Sequence, residues 1–233
     1  MRNDVTLSAR DLRRDFGSGA NIVRALAGVS IELKRGQMTL LKGPSGSGKS
    51  SLLAALSGLT RPSDGEVTAL GEKIWRLPKW KRTRFRRRHC GFVFQAVGLF
   101  PALTAEQQIM LILEYAGIKK THARKKARKL LDDVGLAGRY NSKPGTMSGG
   151  ENQRVAIARM LAKGPSLIFC DEPTSALDKQ SGAIVAELLK RAAHSGDATV
   201  FCVTHDDRLT PYADRIIGIE DGHLVSDTDK ELA

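Results

Sequence analysis

No stretch of this 233-residue sequence approaches the ~18–20 consecutive apolar residues that a membrane-crossing helix needs. Its longest apolar runs, such as residues 109–113 and 167–170, are far too short. The N-terminus, Met1-Arg2-Asn3-Asp4, leads into alternating polar residues and lacks the apolar core of an export signal, so the chain by itself is expected to stay in the cytosol. Cysteine is scarce. Cys90, Cys170 and Cys202 are an odd set without metal-ligand spacing, and the last two lie inside apolar runs. They read as buried, reduced thiols, not as a disulfide or a metal site. There is no internal repeat and no low-complexity segment, so neither a repeat array nor a disordered tract organises the chain.

What is present is a globular composition with a strong positive bias. Hydrophobic residues make up 41% of the chain, enough at this length for one large domain with a sizeable core. The formal net charge of +12 points to an anionic partner: nucleotide, lipid headgroups or nucleic acid. Two clusters carry much of it. One is Lys79, Lys81, Arg82, Arg84, Arg86, Arg87 and Arg88, with Trp80 and Phe85 interleaved; the other is Lys119, Lys120, Arg124, Lys125, Lys126, Arg128 and Lys129. Each reads as a solvated helical face or as a contact for a membrane surface, with nucleic acid a third reading.

Hydrophobic periodicity gives the order of elements. Val29, Ile31 and Leu33 alternate with polar residues, as in a strand with one buried face. Residues 38–41, 91–94, 167–170 and 199–204 are short continuous apolar runs, as expected of strands buried on both faces, and 215–220 and 67–70 add two more strands. Helical spacing runs over 49–57 and ends at Gly58. It recurs over 104–136, over 152–162 up to Gly164-Pro165, and around 184–193. Strands alternating with helices imply an α/β fold with a mostly parallel sheet covered on both faces. The helical stretch 96–153 interrupts that alternation and reads as an inserted subdomain.

Two motifs carry chemistry. Gly43-Pro44-Ser45-Gly46-Ser47-Gly48-Lys49-Ser50 fits G-x-x-x-x-G-K-[ST] and sits between an apolar strand and an amphipathic helix. Glycines let such a loop turn its N–H groups inward onto phosphate oxygens, and the helix adds its positive end. Lys49 can reach the β and γ phosphates, and the Ser50 hydroxyl can ligate Mg²⁺. The second motif ends the strand 167–170 with Asp171 and Glu172, at the carboxyl edge where open α/β sheets bind ligands. Asp171 can hold Mg²⁺ and Glu172 can polarise a water as general base. Two carboxylates ending a buried strand are unfavourable without a compensating cation or hydrogen bonds, which argues against a purely structural role.

What lies around these motifs resembles one family, the ABC ATPases. Met147-Ser148-Gly149-Gly150-Glu151-Asn152-Gln153-Arg154 is similar to its signature motif, and Asp171-Glu172-Pro173-Thr174-Ser175-Ala176-Leu177-Asp178 to its joined Walker B motif and D-loop. Gln95 falls at the Q-loop glutamine, His205 at the switch histidine, and Phe16 where the family stacks an aromatic on adenine. The order and spacing hold from Phe16 to Gly222. Pro44-Ser45-Gly46-Ser47, Gly91-Phe92-Val93-Phe94-Gln95 and Gly149-Gly150-Glu151 resemble the subgroup of lipoprotein-releasing LolD, macrolide-exporting MacB and glycolipid-exporting DevA ATPases. Met147, Glu151, Asn152 and Phe16 depart from the commonest family residues, none of them at Lys49, Ser50, Asp171, Glu172 or His205.

The resemblance implies a P-loop NTPase (RecA-like) core with an N-terminal antiparallel β subdomain and an inserted α-helical subdomain. On this resemblance the whole of 1–233 is expected to form one ABC ATPase domain, with the catalytic core about 1–95 and 154–233 and the helical subdomain about 96–153. It implies ATP and Mg²⁺ as ligands: Glu172, His205, Lys49 and Gln95 in catalysis, and Ser50, Gln95 and Asp171 at the metal. It also implies that Phe16, the loop from Gly43 through Ser51, the signature Ser148, Gly149, Gly150 and Glu151, and Asp178 contact nucleotide. Each ATP would lie between the Lys49 loop of one copy and the signature of a second, paired head to tail. The further partner implied is a separate membrane permease of the FtsX/MacB type, which places the chain peripherally on the cytoplasmic face of the cell membrane. One rival reading is a soluble ABC-type ATPase acting on nucleic acid; the chain lacks the long heptad insertion or second cassette such members carry. Another is a regulator that binds nucleotide without hydrolysis, against which Glu172 and His205 argue.

Overall fold

The computed structural model describes residues 4–17 and 22–229. Met1, Arg2 and Asn3, on which the expectation about an export signal partly rests, lie outside the described residues. Among the described residues ten strands form two sheets. The larger has the order β10(His223–Asp229), β9(Arg215–Glu220), β3(Met38–Lys42), β8(Thr199–Val203), β7(Leu167–Asp171), β6(Cys90–Val93). Its strands from β9 to β6 run parallel, and β10 adds an antiparallel edge. The smaller, antiparallel sheet has the order β2(Val23–Lys34), β1(Val5–Phe16), β4(Asp64–Ala69), β5(Glu72–Lys73).

The continuous apolar runs are explained by burial on both faces of the larger sheet. Along β7, Leu167 and Phe169 face one core and Ile168 and Cys170 the other; along β8, Phe201 and Val203 alternate in the same way with Val200 and Cys202. The first core joins the larger sheet to α1(Lys49–Leu56) and the antiparallel sheet. The second joins it to α5(Gly149–Leu161) and α6(Lys179–His194). A third cluster sits between α3(Ala105–Tyr115), α4(Lys120–Asp133) and the far side of α5. The boundary expected at 153/154 therefore falls inside α5, a helix that packs on two cores at once. All three cysteines are free and buried, and burial pushes the Cys90 thiol up to about 12, so it stays protonated and inert.

Two differences from the sequence reading have local causes. The helical stretch 104–136 is two helices, because Ala116 closes α3 and Gly117 turns the chain at φ 87°. Gly149 and Gly150 belong to the first turn of α5, not to a loop before it. The basic cluster 79–88 has the helical, solvated form that is one of its readings: it is α2(Lys79–His89), with no fully buried residue. It is fixed from outside its own pattern: Arg82 donates to Leu77 O and covers the Trp75 ring, and Arg86 donates to Gly58 O at 2.6 Å.

Candidate active site

The glycine loop leaves the centre of the larger sheet at β3 and enters α1. Its glycines are required by contact with neighbouring backbone. A Cβ on Gly43 would stand 2.1 Å from Ile219 O, and one on Gly48, at φ 102°, 2.2 Å from Ala25 O. The loop is thereby pressed against β9 and β2 and turned back on itself. Lys49 extends over it, donating to Gly43 O at 2.8 Å and to Pro44 O at 2.6 Å. The Ser47 hydroxyl is buried without a hydrogen-bond partner, so an oxygen ligand in the loop would satisfy it. Beside the loop a shallow cavity of about 220 Å³ is lined by Phe16, Arg14, Ser50, Ser51, Ala54 and Thr60. The Phe16 ring is 44% exposed, and the Arg14 guanidinium stands 4.5 Å from its centroid.

One strand, β8, separates β3 from β7, so the acidic end of β7 and the chain after β8 open on the same edge as the loop. The Ser50 hydroxyl and the Lys49 charge both favour the ionised form of the Asp171 carboxylate. Burial, and then the charge of Glu172, outweigh both and push the Asp171 pKa up. Glu172 adopts φ 51°, a left-handed conformation that costs a non-glycine residue on the order of 1–3 kcal/mol. The surroundings hold it there. Its N–H donates to Val203 O at 2.9 Å, and its carboxylate accepts from Thr204 Oγ1 at 3.1 Å, from the His205 N–H at 3.2 Å and from His205 Nδ1 at 2.8 Å. Since the carboxylate accepts, Nδ1 carries a proton, and the imidazole, 75% exposed, turns its other nitrogen outward.

Lys49, Ser50, Asp171, Glu172 and His205 thus meet at one edge. Gln95 lies two residues past β6 on the same edge, exposed and making no hydrogen bond to Ser50 or Asp171. The signature residues lie elsewhere. Ser148 caps α5: its hydroxyl accepts from the Glu151 N–H at 3.1 Å, while the Glu151 carboxylate accepts from the Ser148 N–H at 2.8 Å. That backbone bond first, and then Arg139 at 2.9 Å, hold Glu151 below the usual carboxylate range, so its charge serves the cap. Gly149 is exposed, with no atom within 4 Å of where its Cβ would be. This helix start borders residues 173–181: Gln153 donates to Pro173 O at 3.2 Å and Arg154 hydrogen-bonds Ser181 Oγ. Asp178 caps α6 by accepting from the Ser181 N–H at 2.9 Å.

Four residues of the site escaped the sequence reading. Thr204 orients Glu172, and Thr174, Asp206 and Arg208 form a hydrogen-bonded group behind it. Burial would raise the Asp206 pKa, but hydrogen bonds from Arg208 and Thr174 outweigh it and hold the group down at about 2. A signal was available: Thr204-His205-Asp206-Asp207-Arg208 is a polar cluster ending a buried strand, the feature that singled out Asp171 and Glu172.

The ABC transporter family profile matches residues 26–175. The lipoprotein-releasing system ATP-binding protein LolD of Geobacter metallireducens is 42% identical over 221 residues, 95% of this chain and 98% of that protein. The macrolide export ATP-binding/permease protein MacB of Photorhabdus laumondii is 40% identical over 99% of this chain, which spans only 35% of MacB. A dimeric, post-hydrolysis structure of the ATP-binding cassette MJ0796 with ADP and Pi superposes with a TM-score of 0.91 at 35% identity, covering 97% of this chain and all of that one.

Proposed function

Because the chain belongs to the ABC transporter family, we propose that it is the ATP-hydrolysing subunit of a transporter whose membrane-spanning part is a separate permease of the FtsX/MacB type. The permease exports or extracts a lipid-linked, lipoprotein, peptide or drug substrate, and this chain works from the cytoplasmic face of the membrane. One observation carries the catalytic reading: the Glu172 carboxylate, held by Thr204 and His205, opens on the same edge as Lys49 and the Ser50–Asp171 pair. Lys49 and the N–H groups of the loop hold the ATP phosphates. Phe16 stacks on the base. Glu172 orients the attacking water and accepts its proton, and the outward nitrogen of His205 faces the γ phosphate. Ser50 and Asp171, with Gln95 from the end of β6, are the oxygen donors for Mg²⁺. The set fits, because a divalent cation beside Asp171 offsets the burial and the Glu172 charge that push it toward protonation. Mg²⁺ bound there neutralises charge on the phosphates.

The signature start borders residues 173–181, Gly150 faces Leu177, and Ser148 and Gly149 are exposed. This supports ATP held between two copies, each covering the other's loop with Ser148, Gly149 and Gly150. An arginine side chain at 148 would fill that space while leaving the glycine loop intact. Ser148→Arg is expected to bind ATP within about threefold of the parent and to form no ATP-dependent dimer in size-exclusion chromatography. A dimer at parental levels rules out the trans arrangement.

The two basic clusters differ. Arg124 and Arg128 of α4 pair with Glu106. Among the described residues no cation of α2 pairs with a carboxylate, and no Asp or Glu occurs between Glu72 and Glu106. A cavity of about 500 Å³ between α2 and α3 is lined by Arg84, Arg87, Arg88, Lys163, Ile112 and Tyr115. Phe94, Phe100 and Leu111 are exposed in the same stretch of chain. These features support the α2–α3 side, next to the segment after Gln95, as the surface that meets the permease and the membrane. The test is to trap tagged Glu172→Gln protein with Mg·ATP in native cells and extract it gently in detergent. Recovery of an integral membrane protein in near-equal amount is the expected result. Nuclease-sensitive material without a membrane partner would replace the transport reading with one in which nucleic acid is the target.

A further inference from the structure

Arg208 lies three residues past His205, in the 3-10 helix Asp207–Tyr212 that follows β8. Its guanidinium spans two segments of chain. Toward its own segment it holds both carboxylate oxygens of Asp206, at 2.7 to 3.0 Å. Toward the other, Nη1 donates to Leu177 O at 3.1 Å and Nη2 to Thr174 O at 3.0 Å. Thr174 Oγ1 closes the ring by donating to Asp206 Oδ2 at 2.6 Å. The surface of α6 beneath the guanidinium is Gly182, where a Cβ would stand 3.3 Å from Nη1. A glycine inside a helix is destabilising relative to alanine, and here its missing side chain leaves the seat open.

The joined segments are the two that flank Glu172, one in sequence and one in space. Residues 174–177 run from Glu172 to Asp178, the cap of α6, beside the signature start. Residues 205–208 carry His205, bonded to Glu172. We propose that Arg208 is a positioning residue for hydrolysis, clasping residues 174–177 to the His205 segment so that His205, Glu172 and Asp178 hold one arrangement. The proposal rests on the ATPase reading above. Arginine suits the role because its planar fork meets a carboxylate and two carbonyls that lie in different directions. A lysine ammonium would keep Asp206 but could not span both carbonyls. The clasp touches no part of the glycine loop, so loosening it should slow the chemical step and leave nucleotide capture alone.

The test uses the full chain with Arg208→Ala and Arg208→Lys, measuring phosphate release across ATP concentrations, binding of a fluorescent ATP analogue, and Tm. The Arg208 side chain is 38% exposed, so neither change opens the core. For Arg208→Ala the expected result is a kcat lower by about 10-fold, since small misplacements of reacting groups have effects of this size and larger. Analogue affinity should stay within about twofold of the parent, and Arg208→Lys should recover part of the lost kcat. An Arg208→Ala kcat within about twofold of the parent overturns the proposal. So does a fall in kcat matched by an equal loss of affinity and a drop in Tm of several degrees, which marks a merely structural role. A parent chain that releases no phosphate in the same assay overturns the ATPase reading itself, and the clasp with it.

Discussion

Lys49→Ala should bind ATP poorly and turn it over at least ~10²-fold more slowly than the parent, the scale set by losing one charge-handling group from a preorganised site. The reason is geometric. Lys49 already stands over the loop, its ammonium held by the carbonyls of Gly43 and Pro44. It brings a full positive charge to the place where the loop N–H groups converge, and no other lysine or arginine belongs to that loop. Alanine at the first position of α1 keeps the helix and leaves Gly43 and Gly48 against their neighbours, so the effect reports on charge and not on folding. Steady-state phosphate release and equilibrium binding of a fluorescent ATP analogue decide it. Parental turnover would mean the phosphates lie elsewhere, and the assignment of the loop would fall.

That residue was legible in the sequence, as was most of what surrounds it, for one physical reason. Strands buried on both faces must be apolar throughout, so 38–41, 167–170 and 199–204 were visible as runs, and the polar residues that end them were visible by contrast. Elements without that property stayed hidden. In β1 the inward residues are Leu7, Ala9 and Leu12. The step of two becomes three where Asp11 takes φ 49° and the register with β2 shifts, so alternation fails within a single strand. Helix α2 has no fully buried residue, and its half-buried face, Arg82, Phe85, Arg86 and His89, carries one apolar residue, so it has no apolar period to detect. Its place depends on Gly58 and Trp75, which the tertiary fold brings to it. Arg208 was hidden for the same reason, since its partners at 174 and 177 are defined only once β7 and β8 lie side by side. The signature showed the converse limit: its glycines were clear in the sequence, yet which nucleotide they face depends on a second copy.

Glu172→Gln separates binding from chemistry more sharply than any other single change, because glutamine keeps the shape and most of the hydrogen bonding of the carboxylate. An amide oxygen in the place of Oε2 can still accept from Thr204 Oγ1 and the His205 N–H, and the NH2 in the place of Oε1 can donate to His205 Nδ1 in its other tautomer, so the left-handed backbone at 172 retains its supports. What is lost is the negative charge and the capacity to take a proton from water. The substitution should also remove the repulsion that, after burial, pushes the Asp171 pKa up, leaving Asp171 ionised more readily and Mg·ATP bound at least as tightly. Hydrolysis should fall by at least ~10²-fold, as expected when a general base is removed from a site whose other groups persist. Tight binding without turnover should in turn trap an ATP-bound dimer, seen as a species of doubled mass in size-exclusion chromatography with multi-angle scattering. Turnover near the parental rate would remove Glu172 as the base. His205 is itself tied to that carboxylate through Nδ1, so the search would then move to Asp171, the neighbouring carboxylate at the end of β7.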